Sequence, residues 1–209
     1  MQNLILIGGG GHCKACLDVI TSTGQYNVIG VLDTFEKIGQ KMLNCTIIGT
    51  DEDIEGWVKK DCLFLITVGQ IKSSALRTKL YTHLKQHKAP LATVISKYAI
   101  VSKYSIIGKG SIVMHQAVVN VDSQIGDNSI INTNAIVEHD VKIGNHTHVS
   151  TGAIINGNCQ IGNHVFIGSQ TVIAQGISIC DNVVIGAGST ILKSIDTEGV
   201  YVGSPAKRI

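Results

Sequence analysis

The segment NAIVEHDVKIGNHTHVS, Asn134 to Ser150, places three histidines in seventeen residues. His139 stands between Glu138 and Asp140. A carboxylate accepting from one imidazole nitrogen fixes the tautomer and raises basicity at the other, as a general base requires. His146, His148 and the later His164 offer a different chemistry, that of metal ligands. Upstream, GGGGH, Gly8 to His12, is a run whose short residues let backbone N–H groups approach a pyrophosphate at a helix start. It lacks the full context of a dinucleotide fingerprint. HCKAC holds one CxxC, Cys13 and Cys16, with no second pair, and reads as small packing residues rather than a redox or zinc motif.

Two periodicities describe the elements that must position these residues. NLILIG reads as a strand, GGGH as a turn and CKACLDVITSTG as an amphipathic helix ended by Gly24. NVIGVLD is a second strand, DEDIEGWVKK a short helix with acids in its first turn, CLFLITVG a buried strand and SSALRTKLYTHLKQHK another helix. Such alternation predicts a small parallel sheet, a Rossmann-like βαβ domain over residues 1–97. From Ala99 the period becomes six. Residues 99–194 divide into 96/6 = 16 hexads without an insertion, and the third place is Val or Ile in every one, from Val101 to Ile191. Repetition of this kind predicts a parallel β-helix over residues 98–209, each coil burying its aliphatic residue against copies above and below.

The hexads resemble the left-handed β-helix of the hexapeptide acyltransferases, whose coils take three hexads each. That resemblance implies stacking of residues eighteen apart, about five coils, and a prism on the order of 25 Å tall at ~4.8 Å per strand. It also implies a homotrimer with parallel prism axes and active sites between subunits. Under this stacking His146 and His164 share a column with Asn128 and Asn182. Asn and His together suit a corner of positive φ. His139 breaks its own column, Val121, His139, Gly157, Gln175, so no repeat rule asks for an imidazole there. Gly157 would leave space beside it for a substrate and offer an N–H to a developing oxyanion. His148 lies half a coil round from His139, so the two could meet only across a subunit groove.

Composition narrows the partners. Aromatics are 4% of the chain while hydrophobic residues are 44%, so small aliphatic side chains must fill a regular stack. The net charge of +2 comes from cations interleaved with acids, which leaves no basic stripe for nucleic acid. No window approaches a membrane span, and the start lacks a basic leader region. The six cysteines show no disulfide-framework spacing. A cytoplasmic protein without membrane insertion is expected.

Over essentially the whole chain, GGGGH, VLD, INTNAIVEHD, HTHVSTGA and GVYVGSPAKRI are similar to the sugar O-/N-acetyltransferase family. That family includes sialic acid O-acetyltransferases and the UDP-4-amino-sugar N-acetyltransferases of bacillosamine synthesis, the branch these motifs look nearest to. The resemblance implies an acetyl-CoA-dependent enzyme without a metal. His139 would be the base, Asp140 its orienting partner, and Asn132 a contact to the sugar or base region. His148 would belong to the acetyl-CoA site, with Gly157, Ser169 and Ala187 along the cofactor channel and Gly203 to Lys207, including Pro205, over its adenine end. Gly9, Gly10, Gly11 and His12 would hold the nucleotide of the sugar donor, with Asp33 near the base and Val68, Gly69 and Gln70 beneath it. Cys13 departs from the Gly often found there, and a side chain at that place would narrow the approach to the phosphates. The residues leave open UDP against GDP, N- against O-acetylation, and whether Glu138 or Asp140 orients His139. Two rivals come from other classes. A metalloenzyme like the β-helical carbonic anhydrases would use His146, His148 and His164, but that class lacks the βαβ domain. A bare trimerising scaffold would leave EHD without a role.

Overall fold

The computed structural model describes all 209 residues, Met1 to Ile209. β1 (Gln2–Ile7), α1 (Gly11–Thr23), β2 (Tyr26–Leu32), β3 (Lys41–Met42), β4 (Cys45–Gly49), α2 (Ile54–Val58), β5 (Leu63–Ile66) and α3 (Ala75–Gln86) form the first unit. Its sheet has the order β3-β4-β2-β1-β5. β1 is parallel to β2 and β5, β2 is parallel to β4, and β3 turns back antiparallel onto β4. Gly24 ends α1 in the left-handed region at φ 63°, as its place in the sequence predicts. The DEDIEGWVKK helix begins as a 3₁₀ turn at Asp51–Asp53. There the Thr50 hydroxyl accepts from the Glu52 N–H, and Asp53 accepts from the Thr50 N–H. The β3–β4 hairpin is an addition that strand and helix alternation does not foretell, because its strands are too short to show a period.

β6 (Val94–Ile95) opens a left-handed parallel β-helix and pairs with Ile112–Val113, ahead of the first hexad. Each coil carries three short strands. Their partners are eighteen residues apart in every ladder, for example Val118 with Ile136, Gln124 with Lys142 and Ile130 with His148. All third-place residues from Val113 to Ile191 are at most 4% exposed, whereas Val101 and Ile107 in the first coil are partly covered. First places, such as Ala117, Ala135, Cys159 and Val165, also point inward. The small side chains there let the aliphatic column close over them.

Second places face outward and sort into three columns. One face, Ile112, Ile130, His148 and Phe166, is buried beneath the first unit. A second, Ile100, Val118, Ile136, Ile154 and Val172, is apolar and open, with Ile100 70% exposed. The third carries Gln124, Lys142, Gln160 and Ser178. The two units share one apolar core, in which Leu4, Leu6 and Leu17 pack with Ile112, Met114 and Ile130. No helix is long and apolar enough to cross a membrane.

Two devices hold the corner between the polar and covered faces. Asn128, His146, His164 and Asn182 all adopt positive φ, between 52° and 58°, as that column predicts. Just before them Gly108, Gly126, Gly144 and Gly162 stack backbone on backbone, and a Cβ at Gly144 would lie 2.7 Å from atoms of Gly162 and Asn163. Side chains complete the ladder, since the Asn145 N–H donates to Asn163 Oδ1 at 2.9 Å and the Asn163 N–H to Asp181 Oδ1 at 2.7 Å. Gly144→Ala is therefore expected to lower stability by about 1–3 kcal/mol, the usual cost of an overpacked site, read as a reduced urea midpoint.

Candidate active site

His139 occupies the corner between the open apolar face and the polar face. Its Nδ1–H donates to Asp140 Oδ2 at 2.8 Å. Asp140 takes φ 60°, a conformation Asp tolerates because its short polar side chain bonds locally. Glu138 is otherwise engaged, accepting from Asn120 Nδ2 at 2.9 Å. Of the two flanking acids, then, Asp140 is the one that meets the ring. With Nδ1 protonated, Nε2 keeps its lone pair, and the side chain is 48% exposed. The imidazole lies over Gly157, where a Cβ would come within 2.6 Å of His139 Cε1 and 2.7 Å of Nε2. The expected gap is thus filled by the ring itself rather than left for a substrate. The Gly157 N–H has no acceptor in the chain.

The other predicted residues gather at the seam between the two units. α1 starts at Gly11, and the N–H groups of Gly10, Gly11 and His12 have no acceptor, as a helix N-terminus leaves them. The Gly9 N–H donates to Asp33 Oδ2 at 2.6 Å, and Asp33 also accepts from the Thr34 N–H at 2.7 Å and from Lys37 Nζ at 3.0 Å. Burial would raise the Asp33 carboxyl, but the N–H groups of Thr34 and Gly9 and the Lys37 ammonium outweigh it and hold it below the usual range. Asp33 therefore clamps the glycine turn, with both oxygens already engaged. It lines a cleft of about 450 Å³ with Gly8, Val68 and Phe35. Phe35 is 76% exposed at that rim. Sequence reading passed over it, although an aromatic straight after VLDT in a chain with three Phe was a usable signal. Cys13 points away from the turn into the core, fully buried, and burial pushes its thiol up to about 11. It does not narrow the approach to the turn.

Gln70, Asn132 and His148 meet beneath this turn, with the His12 ring centroid 6.4 Å from that of His148. The His148 Nδ1–H donates to the Gln70 carbonyl at 2.6 Å, and Nε2 accepts from Asn132 Nδ2 at 3.1 Å. With 5% exposure and both nitrogens occupied, His148 sits with Gln70 and Asn132 in the seam and is not free to face a cofactor. Gly69 packs against His12, where an added Cβ would stand 3.5 Å from the His12 Cβ. Ser169 hydrogen-bonds Ser150 at 3.0 Å on the edge between the covered and apolar faces. Ala187 follows in the same column, one coil on. Gly157 stands on the opposite edge beside His139, so these channel residues do not meet within one chain. Pro205 and Lys207 border a separate cavity of about 500 Å³ with Lys193, Tyr201 and Arg208 at the last coil.

His146 and His164 stack face to face, 5.0 Å between centroids. Nδ1 of His146 accepts from Asn128 Nδ2, and Nδ1 of His164 pairs with the Ser74 hydroxyl. No three His, Cys, Asp or Glu side chains come together in a metal-holding group.

Burial lowers His148 to about 3 and both His12 and His146 to about 4. Their unfolded value is 6.5, so between pH 6.5 and about 4 the unfolded chain binds more protons than the folded one. Stability is full above pH 6.5 and is lost as pH falls through that window. At pH 5 the fully buried His148 alone accounts for a loss of about 2 kcal/mol. Thermal melts should therefore drop between pH 7.5 and pH 5, and His146→Asn, which suits the same corner, should flatten the slope.

Residues 3–84 match the family described as PglD N-terminal domain. Residues 122–157 and 158–193 each match Bacterial transferase hexapeptide (six repeats). The acetyltransferase domain of PglB from Neisseria gonorrhoeae FA1090 is 30% identical and superposes with a TM-score of 0.93 over 100% of both chains. Another structure of that domain is a complex with acetyl coenzyme A. PerB from Caulobacter crescentus, in complex with CoA and GDP-perosamine, is 27% identical with a TM-score of 0.92 over 100% of this chain and 98% of that one. No curated protein matches the sequence. A PglD-type amino-terminal unit, a hexapeptide-repeat prism and full-length likeness to the PglB domain place the chain in the acetyl-CoA-dependent sugar N-acetyltransferases built on a left-handed β-helix, and it belongs to that family.

Proposed function

We propose that the protein acetylates the 4-amino group of a UDP-linked 4-amino-4,6-dideoxy sugar of the UDP-N-acetylbacillosamine type, with His139 as general base and Asp140 orienting it. One observation carries this reading. A solvent-facing imidazole, held by a carboxylate at 2.8 Å, keeps its other nitrogen unengaged. Acetyl-CoA supplies the thioester carbonyl that the sugar nitrogen attacks, the C–N bond forming as the C–S bond breaks. His139 Nε2 takes the proton released from nitrogen, and Asp140 meets the charge that develops on the ring. That proton passes to the departing sulfur, so the enzyme ends unchanged. Transfer is direct, with no acyl-enzyme.

The nucleotide fits the seam, where the free N–H groups of Gly10, Gly11 and His12 favour a diphosphate and Phe35 offers its exposed ring to a base. Asn132 and Gln70 would border the sugar. At the last coil, Lys193, Lys207 and Arg208 around Pro205 combine cations for phosphates with apolar surface for an adenine ring. His139 and the seam lie on different edges of one prism. The face between those edges is the open apolar column of Ile100, Val118, Ile136 and Ile154. A threefold axis in front of that face would lay one protomer's His139 against the next protomer's Asn132 and Ser169. This supports a homotrimer whose active sites form between subunits. Six free cysteines and the two cosubstrates suit the cytoplasm. A GDP-linked amino sugar is the second reading, favoured by the likeness to PerB.

A thiol-release assay with acetyl-CoA decides among UDP-4-amino-sugar, GDP-4-amino-sugar and sialic acid as acceptor; release with sialic acid alone would refute N-acetylation. His139→Ala is expected to cut turnover ~10²–10⁴-fold while binding of the nucleotide sugar is kept, and near wild-type turnover would remove His139 from the mechanism. Ile154→Glu should give a monomer by light scattering that has lost activity.

A further inference from the structure

Arg77 on α3 is 1% exposed and heads the fully buried side chains by volume. No carboxylate pairs with it, for the ion pairs of the chain lie elsewhere. Its guanidinium donates instead to three carbonyls. Nη1 reaches Ile66 at 2.7 Å and Val68 at 2.8 Å, while Nε reaches Asn128 at 3.2 Å. Asn128 Nδ2 donates back to the Arg77 carbonyl at 3.3 Å. Ile66 and Val68 lead into the loop that carries Gly69 and Gln70, whereas Asn128 is a prism corner. One side chain therefore joins the nucleotide-side loop, α3 and the β-helix.

Nη2 has no partner at all. Burial lowers the group only to about 10, so it is charged at neutral pH. A buried guanidinium without a counter-ion is costly, and an apolar side chain of the same volume would avoid the cost. Within the chain only carbonyl oxygens meet this charge. Val68, whose carbonyl Arg77 holds, packs against the glycine turn that opens α1, where a Cβ on Gly8 would stand 3.3 Å from the Val68 N and meet its side chain. This is the turn whose N–H groups at Gly10, Gly11 and His12 are free, and His12 Nε2 is likewise buried without a partner.

Resting on the nucleotide-sugar reading above, we propose that Arg77 is a positioning residue for the diphosphate of the nucleotide sugar. Its buried charge attracts the diphosphate bound at the α1 turn, and its carbonyl bonds hold the loop against which the sugar lies. The charge never touches the reacting atoms; it acts through the loop and across the seam.

The test compares Arg77→Met, which removes the charge, with Arg77→Lys, which keeps it. The purified chain is titrated with UDP and GDP by calorimetry, and with uridine and guanosine by ligand-observed NMR. Arg77→Met should weaken the bound diphosphate about tenfold and the nucleoside no more than about twofold, while Arg77→Lys should stay within about threefold of wild type for the diphosphate. In turnover, KM for the nucleotide sugar should rise more than kcat falls, with KM for acetyl-CoA unchanged. Equal losses for nucleoside and diphosphate would mean a merely structural arginine and overturn the proposal. Should Arg77→Met not fold, the wild-type Arg77 Nε–H resonance, assigned by its loss in Arg77→Lys, should move with UDP but not with uridine; no movement overturns it equally. If wild type binds neither diphosphate, the nucleotide-sugar reading falls and takes this one with it. Diphosphate binding with undiminished preference in Arg77→Met would sink Arg77 alone.

Discussion

Closure of one aliphatic column over another, coil upon coil, is the constraint on which everything else in this molecule depends. From Val113 to Ile191 the third places pack directly over their counterparts in the neighbouring coils. Because each coil repeats the last in register, every outward position is fixed in three dimensions by its remainder after division by eighteen. His139, Asn132 and His148 need no loop to aim them. Their orientation is inherited from a core they do not belong to, and rigid strands position side chains more accurately than connecting segments do.

That regularity is also why the prism could be read from residues alone. A hexad with one invariant aliphatic place reports burial directly, and the Asn/His column reported its left-handed corners. The amino-terminal unit was legible in outline, since β1, α1, β2, β5 and α3 each carry enough length to show a period. The hairpin Lys41–Gly49 does not. His139 stood out for breaking its column, but which acid meets its ring needed coordinates. Only they separate Asp140, which holds the ring, from Glu138, which is tied to Asn120. Gly157 and Cys13 were misjudged for one reason: spacing says that a residue is small or large, not which neighbour takes the space.

The seam was the least legible part, because its contacts join residues distant in sequence. His148 to Gln70 spans 78 residues and Arg77 to Asn128 spans 51. Each of these groups reads singly as an ordinary helix, loop or corner residue. Together they make a polar layer where the two units meet, and four of the five buried side-chain atoms left without a partner, His12 Nε2, Gln70 Oε1, Arg77 Nη2 and Asn128 Oδ1, belong to residues of that layer, whereas Thr78 borders a cavity on the other side of α3. Unmet hydrogen-bonding capacity is expensive wherever it is kept. Its concentration in this layer supports the nucleotide-sugar site proposed there.

Asp140 adopts a backbone shape that the corner imposes on Asp122 above it and Asn158 below it. The corner thus carries a short carboxylate or amide at three successive storeys of that edge, before any chemistry is asked of it. To relocate the base by one storey would take an imidazole at Val121 and the loss of a side chain at His139, with the acid already waiting in Asp122. On the proposed mechanism, a scaffold of this kind holds vacant copies of its own reactive corner, and where along the column a protomer would do its work is set by two positions rather than by the fold.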